Sequence, residues 1–329
     1  MLINDIMQYC DSEYNNANTR VQCHNCQHID GCPGSCKNCL EEIHYPSRYP
    51  TGKKEYDCPN LINFYVCDYS YKYATEIYYL LQKSEALREI SEYNIFSIGC
   101  GACPDLMAFE AYIHQNHADG TVIYRGIDKN PLWTPVHNRI QQYNSEIIPY
   151  INLQNEDAFE FLEQFAVGDI NVLVLQYIIS ALYSVNGQDS IDRLFELAIG
   201  SIVMHRNPAE PFVVIINDVN SNNLGRDLFV NMRDKLSEAG CHGKCNGFYF
   251  DGRHIHNDFQ RYGTKHNNAT AMPADMAVKY QQYEPWQFCT SAQLLIEIED
   301  QLSKVNRKNR RKMEYWTAKK QATLAACSG

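Results

Sequence analysis

Three things are scarce in this chain of 329 residues, and each excludes a class of protein. Long apolar runs come first. The longest, VLVLQYIISALY at 172–183, is short of the roughly 20 residues a bilayer demands, so no membrane span is expected. A leader-like start is also missing: MLINDIMQYCDSEYNN has no basic residues followed by an apolar stretch, and no signal peptide is read. Positive charge is in deficit, 29 Lys and Arg against 39 Asp and Glu for a net −10. That balance argues against a surface coated all round in nucleic acid and leaves local patches open. Internal repeats and low-complexity segments are absent as well. The expected compartment is the reducing cytoplasm, where clustered cysteines point to a metal rather than to disulfides.

What is present is globular in kind: 45% of residues are hydrophobic and 23 are tyrosine. The length suits one α/β domain and something smaller. Cysteines crowd the first zone, residues 1–68, as Cys10, Cys23, Cys26, Cys32, Cys36, Cys39 and Cys58 with Cys67 at its border. Turn formers such as HIDGCPGSC abound there, apolar periodicity is slight, and the zone is expected to need a metal to fold. From residue 69 the stretch YSYKYATEIYYLLQKSEALREIS reads as a long helix through residue 91. A basic tail fills 301–329.

Between the helix and the tail, short apolar runs alternate with helical ones. YNIFSIG precedes DLMAFEAYIHQ, TVIYRGID precedes LWTPVHNRIQQY, and three further pairs follow, ending in PFVVIIND and GRDLFVNMRDKLSE. Five such units in series imply a mainly parallel sheet wound with helices on both faces. CNGFYF and QFCTSAQLLIEIE then read as an antiparallel end. The expected fold is α/β, a seven-stranded, mainly parallel, doubly wound sheet over 69–300.

IGCGACPD at 98–105 ends the first strand and opens a helix. That is where open α/β sheets bind ligands, and glycines there let the backbone turn tightly beneath a cofactor. A dinucleotide fingerprint needs a third glycine where Pro104 stands. With FSIGCGACPDL, YRGIDKN, NEDAFEF and INVLVLQYIIS in this order, residues 69–300 resemble the class I S-adenosylmethionine-dependent methyltransferases. The resemblance implies that Gly99, Cys100 and Gly101 pass under the cofactor and that Asp128 accepts from its ribose hydroxyls. It puts Asp157 and Ala158 at the adenine, with Phe159 near the ring, and Gln176 at the end of the fourth strand. Where many members carry an acid two residues before the first glycine, this chain has Ser97, so the amino group of the methionine moiety falls to Asp105 or to the helix at 69–91. Cys100 and Cys103 are then small loop residues.

CHNCQHIDGCPGSCKNC holds two C-x-x-C pairs, Cys23 with Cys26 and Cys36 with Cys39. Soft thiolates at this spacing suit tetrahedral zinc. Cys32 and Cys58 are further ligands, and His24, His28 and His44 are candidates. Cys32, Cys36 and Cys39 also spell C-x3-C-x2-C, similar to the radical S-adenosylmethionine motif, which leaves an iron–sulfur cluster as the alternative. Cys241 and Cys245, with His254, His256 and His266, form a second, weaker group.

No [D/N]-P-P-[Y/F/W] motif follows the fourth strand, so methylation of exocyclic base amines is not supported. Carbon-5 methylation of a base needs a thiolate nucleophile; no Pro-Cys step appears after the fourth strand, and Cys289 alone leaves that chemistry open. Tyr177 and Asp218 are the catalytic candidates, with His205 beside them. Lysines and arginines at 304–320, interleaved with Tyr315 and Trp316, suit RNA, neutralising phosphates and stacking on unpaired bases. The expectation is a zinc-carrying methyltransferase acting on RNA or an RNA–protein substrate. A non-catalytic assembly protein on the same scaffold and a small-molecule methyltransferase are the alternatives.

Overall fold

The computed structural model describes residues 1–18, 35–45, 48–116, 120–164, 169–250, 263–266, 280–283, 285 and 288–299. Its helices are α1 (Leu2–Asn18), α2 (Cys36–His44), α3 (Pro59–Lys83), α4 (Pro104–Asn116), α5 (Thr134–Gln141), α6 (Ala158–Gln164), α7 (Ile179–Asn186), α8 (Gln188–His205) and α9 (Phe229–Glu238). The strands are β1 (Glu92–Ile98), β2 (Thr121–Ile127), β3 (Tyr150–Gln154), β4 (Val172–Gln176), β5 (Phe212–Val219), β6 (Gly243–Phe250), β7 (Thr264–His266) and β8 (Ser291–Ile298). Among the described residues no helix is long and apolar enough to cross a membrane.

The strands form one sheet in the order β3-β2-β1-β4-β5-β8-β6-β7. The first five run parallel, and β8 lies antiparallel to both β5 and β6. Among the described residues the sheet therefore has eight strands where seven were expected. The extra one, β7, is only three residues long and pairs in parallel with β6. So short a run carries no period that sequence could show.

Both faces are covered, as a parallel sheet requires. Strand alternation sorts the core: Val213 and Ile215 face the layer of α1, α3, α4 and α5, while Phe212, Val214 and Ile216 face α6, α8 and α9.

Two expectations about the first 68 residues need correction. Apolar periodicity is present in α1, where Leu2, Ile3, Ile6, Met7 and Cys10 are all fully buried, the cysteine acting as a small hydrophobe. The same helix is tied to the domain by polar contacts. The Leu2 N–H donates to Glu110 Oε2 at 2.7 Å, and Arg139 Nε donates to Asp5 Oδ2 at 2.9 Å. The boundary at 68/69 falls inside α3, which begins ten residues earlier and ends at Lys83 rather than at 91. Pro59 occupies its first turn, where a missing N–H costs nothing. From Asn60 to Leu81 nearly every residue of α3 is buried, so no polar stripe marks where the helix starts. At its far end Glu297 of β8 accepts from Ser84 Oγ at 2.7 Å and from the Ala86 N–H at 2.8 Å.

Candidate active site

A cavity of about 2240 Å³ opens at the carboxyl ends of the parallel strands, between the loop after β1 and the inner side of α3. The β1–α4 loop is its floor. Gly99 and Gly101 have φ of +69° and +49°, in the region glycine favours, and Cys103 shares it at +54°. A methyl group on Gly99 would stand 3.0 Å from Ile178 Cδ1. The Gly99 and Cys100 N–H groups both donate to the Ile127 carbonyl, at 2.8 and 3.1 Å, which pins the loop to the end of β2.

Asp128 follows β2 directly. Its Oδ2 accepts from the Gly101 N–H at 3.0 Å and its Oδ1 from the Asn130 N–H at 2.9 Å, so one carboxylate organises the loops after β1 and after β2. Burial raises its pKa, and the two amide hydrogen bonds oppose that. Asp157 Oδ1 accepts from the Phe159 N–H at 2.9 Å and thereby starts α6, while Asp157, Ala158 and Phe159 all line the cavity.

Among the described residues, two acceptors on the cavity wall are buried with no hydrogen-bond partner: Asp105 Oδ2 and Gln176 Oε1. Asp105 Oδ1 accepts from the Tyr124 hydroxyl at 2.9 Å, and burial pushes the Asp105 carboxyl up to about 6. Gln176 Nε2 donates to the Tyr73 carbonyl at 3.0 Å, which fixes its oxygen away from α3. Unpaired buried acceptors are costly, and a donor-bearing ligand is what would satisfy them.

Comparison with known proteins adds likeness of shape. No family model and no curated relative matches the chain. Among solved structures, the plantazolicin methyltransferase BpumL in complex with SAH matches at 10% identity and a TM-score of 0.39, covering 89% of this chain and 100% of that one. A SAM-dependent methyltransferase from Archaeoglobus fulgidus matches at 12% identity and a TM-score of 0.37, covering 68% and 94%. The Methanococcus jannaschii fibrillarin pre-rRNA processing protein matches at 11% identity and a TM-score of 0.32, covering 64% and 68%. At these scores the likenesses carry no argument about this chain's chemistry, which rests on the cavity itself.

Tyr177 lines the cavity with φ of +56°, its ring 4.3 Å from that of Tyr73. The Asp218 carboxyl stands elsewhere. It is buried beneath α7, accepting from the Ser180 N–H at 3.0 Å and from its neighbour Val219, and it is absent from the cavity wall. Its place at a strand end is shared with catalytic acids, but here the first turn of α7 takes it up. Cys289 is likewise buried off the wall, with burial raising its thiol well above the usual range. The His205 side chain lies outside the described residues.

Cys100, Cys103 and His137 bring three ligand-type atoms within 4.8 Å of one another. His137 Nε2 donates to the Gly101 carbonyl at 2.7 Å, however, and so carries the hydrogen. Metal binding through that nitrogen would cost the loop this bond, and the trio is better read as packing beneath the loop. Cys23, Cys26 and Cys32 lie outside the described residues, as does the tail at 304–320. Cys36 opens α2, Cys39 is buried in it and Cys58 precedes α3; among the described residues these three do not gather within that distance. Cys241 and Cys245 pack on the α8–α9 face, whereas His266 stacks between Phe248 and Tyr79 on the other, so it does not join them. His254 and His256 are outside the described residues.

Residues of α3 form the wall that sequence reasoning missed. Tyr65, Tyr69 and Tyr73 stack one above the next, with centroids 5.0 and 5.3 Å apart, and beside them stand Lys72 and Glu76. The signal was available: tyrosines four apart share one helix face. His44 bridges Tyr69 and Tyr56 at 3.0 and 2.8 Å, and burial pushes it down to about 4, which leaves it neutral.

Proposed function

We propose that this chain is an S-adenosylmethionine-dependent methyltransferase. The observation that carries the proposal is the pair of unpartnered buried acceptors, Asp105 Oδ2 and Gln176 Oε1, on a cavity floored by the Gly99–Gly101 loop. When bound, the cofactor supplies an electrophilic methyl group on a sulfonium. Gly99 and Gly101 let the backbone run beneath it, and Asp128, whose two bonds to amides leave lone pairs on both oxygens, accepts from the ribose hydroxyls. Asp105, with Gln176, takes the amino group in place of the acid that Ser97 lacks. Asp157, Ala158 and Phe159 bound the adenine end. Catalysis then rests chiefly on aligning the acceptor with the methyl group.

Calorimetric titration with S-adenosylmethionine and its demethylated product tests this. Asp128→Ala is expected to weaken binding of both at least tenfold, and unchanged affinity in that variant removes the assignment.

Two finer parts of the proposal rest on sequence. Zinc on Cys23, Cys26, Cys32, Cys36, Cys39 and Cys58 is supported by the paired C-x-x-C spacing. Metal analysis of the protein with Cys23 and Cys26 changed to serine should show a lower zinc content, and an unchanged content speaks against it. RNA contact through 304–320 is supported by the alternation of basic and aromatic residues. Removing 301–329 should weaken RNA retention and its salt dependence, and equal retention excludes the tail.

A further inference from the structure

Glu76 is completely buried in the middle of α3, and four donors converge on it. Its Oε2 accepts from the Tyr177 hydroxyl at 2.8 Å and from Asn217 Nδ2 at 3.0 Å. Its Oε1 accepts from the Thr290 N–H at 3.1 Å and lies 3.5 Å from Lys72 Nζ. Lys72 also donates to Tyr177 Oη at 3.0 Å. Lys72 and Tyr177 line the cavity, and Glu76 stands directly behind them. A phenolic oxygen offers one hydrogen and two lone pairs. In Tyr177 the hydrogen is given to Glu76 and one lone pair receives Lys72, which leaves the second lone pair for a donor arriving from the cavity. The left-handed backbone at Tyr177, which costs about 1–2 kcal/mol for a residue with a Cβ, is what carries the ring to this point.

We propose that Tyr177 and Glu76 form a proton relay for a neutral hydroxyl acceptor, with Lys72 as the positioning residue; this rests on the methyltransferase reading above. In the step, the acceptor oxygen forms a bond to the methyl carbon as the carbon–sulfur bond breaks, its electron pair staying on sulfur. The acceptor's proton passes to Tyr177 Oη while the Tyr177 proton moves along its existing bond to Glu76 Oε2. The site's total charge is unchanged, because the positive charge lost at sulfur is matched by the proton that neutralises Glu76. Keeping that sum constant is valuable beside Glu76, which is completely buried and poorly screened by water. Burial and the adjacent Glu76 hold the Tyr177 phenol well above its usual range, so it passes a proton without parting with its own to solvent. The other groups facing it are Tyr73 and Lys72 from α3, Asp218 from β5 and Cys289 ahead of β8. The hydroxyl can belong to a ribose of RNA or to a small molecule.

The test uses 4-nitrophenol as a coloured hydroxyl probe, titrated into the complex of the full chain with the demethylated cofactor. Calorimetry in two buffers of different ionisation enthalpy counts protons released. The wild type is expected to show nitrophenolate colour with no proton released to the buffer. Glu76→Gln, and independently Tyr177→Phe, are expected to lose the colour or to release one proton. With labelled methyl groups, nitrophenol and total RNA serve as separate acceptors, the RNA being digested to find label on ribose. Glu76→Gln should lose at least 100-fold in turnover near neutral pH, within the span of general base catalysis. It should regain turnover as pH passes the acceptor's own pKa, with cofactor affinity unchanged. Proton release by the wild type, failure of nitrophenol to bind, unaltered turnover in both variants, or a product methylated on nitrogen, sulfur or carbon would each overturn the relay. Failure of the cofactor to bind sinks the methyltransferase reading instead.

Discussion

Changing Asp105 to Asn should make the cofactor-free protein more stable and the cofactor complex weaker. The carboxyl is almost fully buried, has one unpartnered oxygen and is pushed from the usual 3.8 up to about 6 by burial. The folded state therefore holds this proton more firmly than the unfolded chain does. Between pH 4 and 6 the folded protein binds more protons, so stability falls as pH rises through that window. Above it, the ionised group costs about two pH units at 1.36 kcal/mol each, roughly 3 kcal/mol. Asparagine removes that cost and keeps an oxygen for Tyr124, but it buries an amide N–H without an acceptor, a loss of about 1–2 kcal/mol. The net gain is about 1–2 kcal/mol near pH 8, or roughly 2–8 °C in Tm for a domain of this size. Melting curves at pH 5 and pH 8 measure it as a difference between variant and wild type, which cancels the parallel contribution of Asp218, also pushed to about 6. With cofactor present the order should reverse, because a charge-assisted bond to the amino group, about 1.5–3 kcal/mol, is lost. A variant that melts below the wild type without cofactor and binds cofactor as tightly would refute the reasoning.

Two further substitutions probe the frame. Gly99→Ala places a Cβ at φ +69° and 3.0 Å from Ile178 Cδ1; it should cost about 1–2 kcal/mol in urea unfolding and weaken cofactor binding in calorimetry. An alanine variant with unchanged affinity would mean the cofactor does not approach this loop. Ser84→Ala removes one of the donors that hold Glu297 and frees the Leu87 N–H, so the urea midpoint should fall by the equivalent of about 1–3 kcal/mol with cofactor affinity intact. An unmoved midpoint would show that Glu297 is satisfied without it.

The sheet was legible because its strands are buried on both faces and stand out as apolar runs, as VLVLQ and FVVIIND do. The tight turn after β1 was legible because glycine favours positive φ, as at Gly99 and Gly101, and the place of Asp128 because it follows a strand directly. Helix α3 was only half legible, since a helix buried all round shows no amphipathic stripe. The surroundings of Glu76 could not be read from sequence: they depend on Tyr177, 101 residues away, and on Thr290, 214 residues away. The place of Asp218 under the first turn of α7 was not legible, because a strand-end acid serves a helix start as readily as a substrate. The cysteines of 19–34 and the basic tail lie outside the described residues, and their reading stays with the sequence.

Helix α3 spans 25 residues, about 37 Å at 1.5 Å per residue. It begins in the cysteine-rich zone, forms the tyrosine wall of the cavity and ends on the hydrogen bonds to β8. The sheet and its helices therefore do not separate from the first 68 residues without cutting this helix. Recombination at residue 68 would split a helix and carry away Tyr65, whose ring starts the tyrosine stack. A change in the cysteine-rich end that shifts α3 therefore shifts the tyrosine wall of the cavity with it.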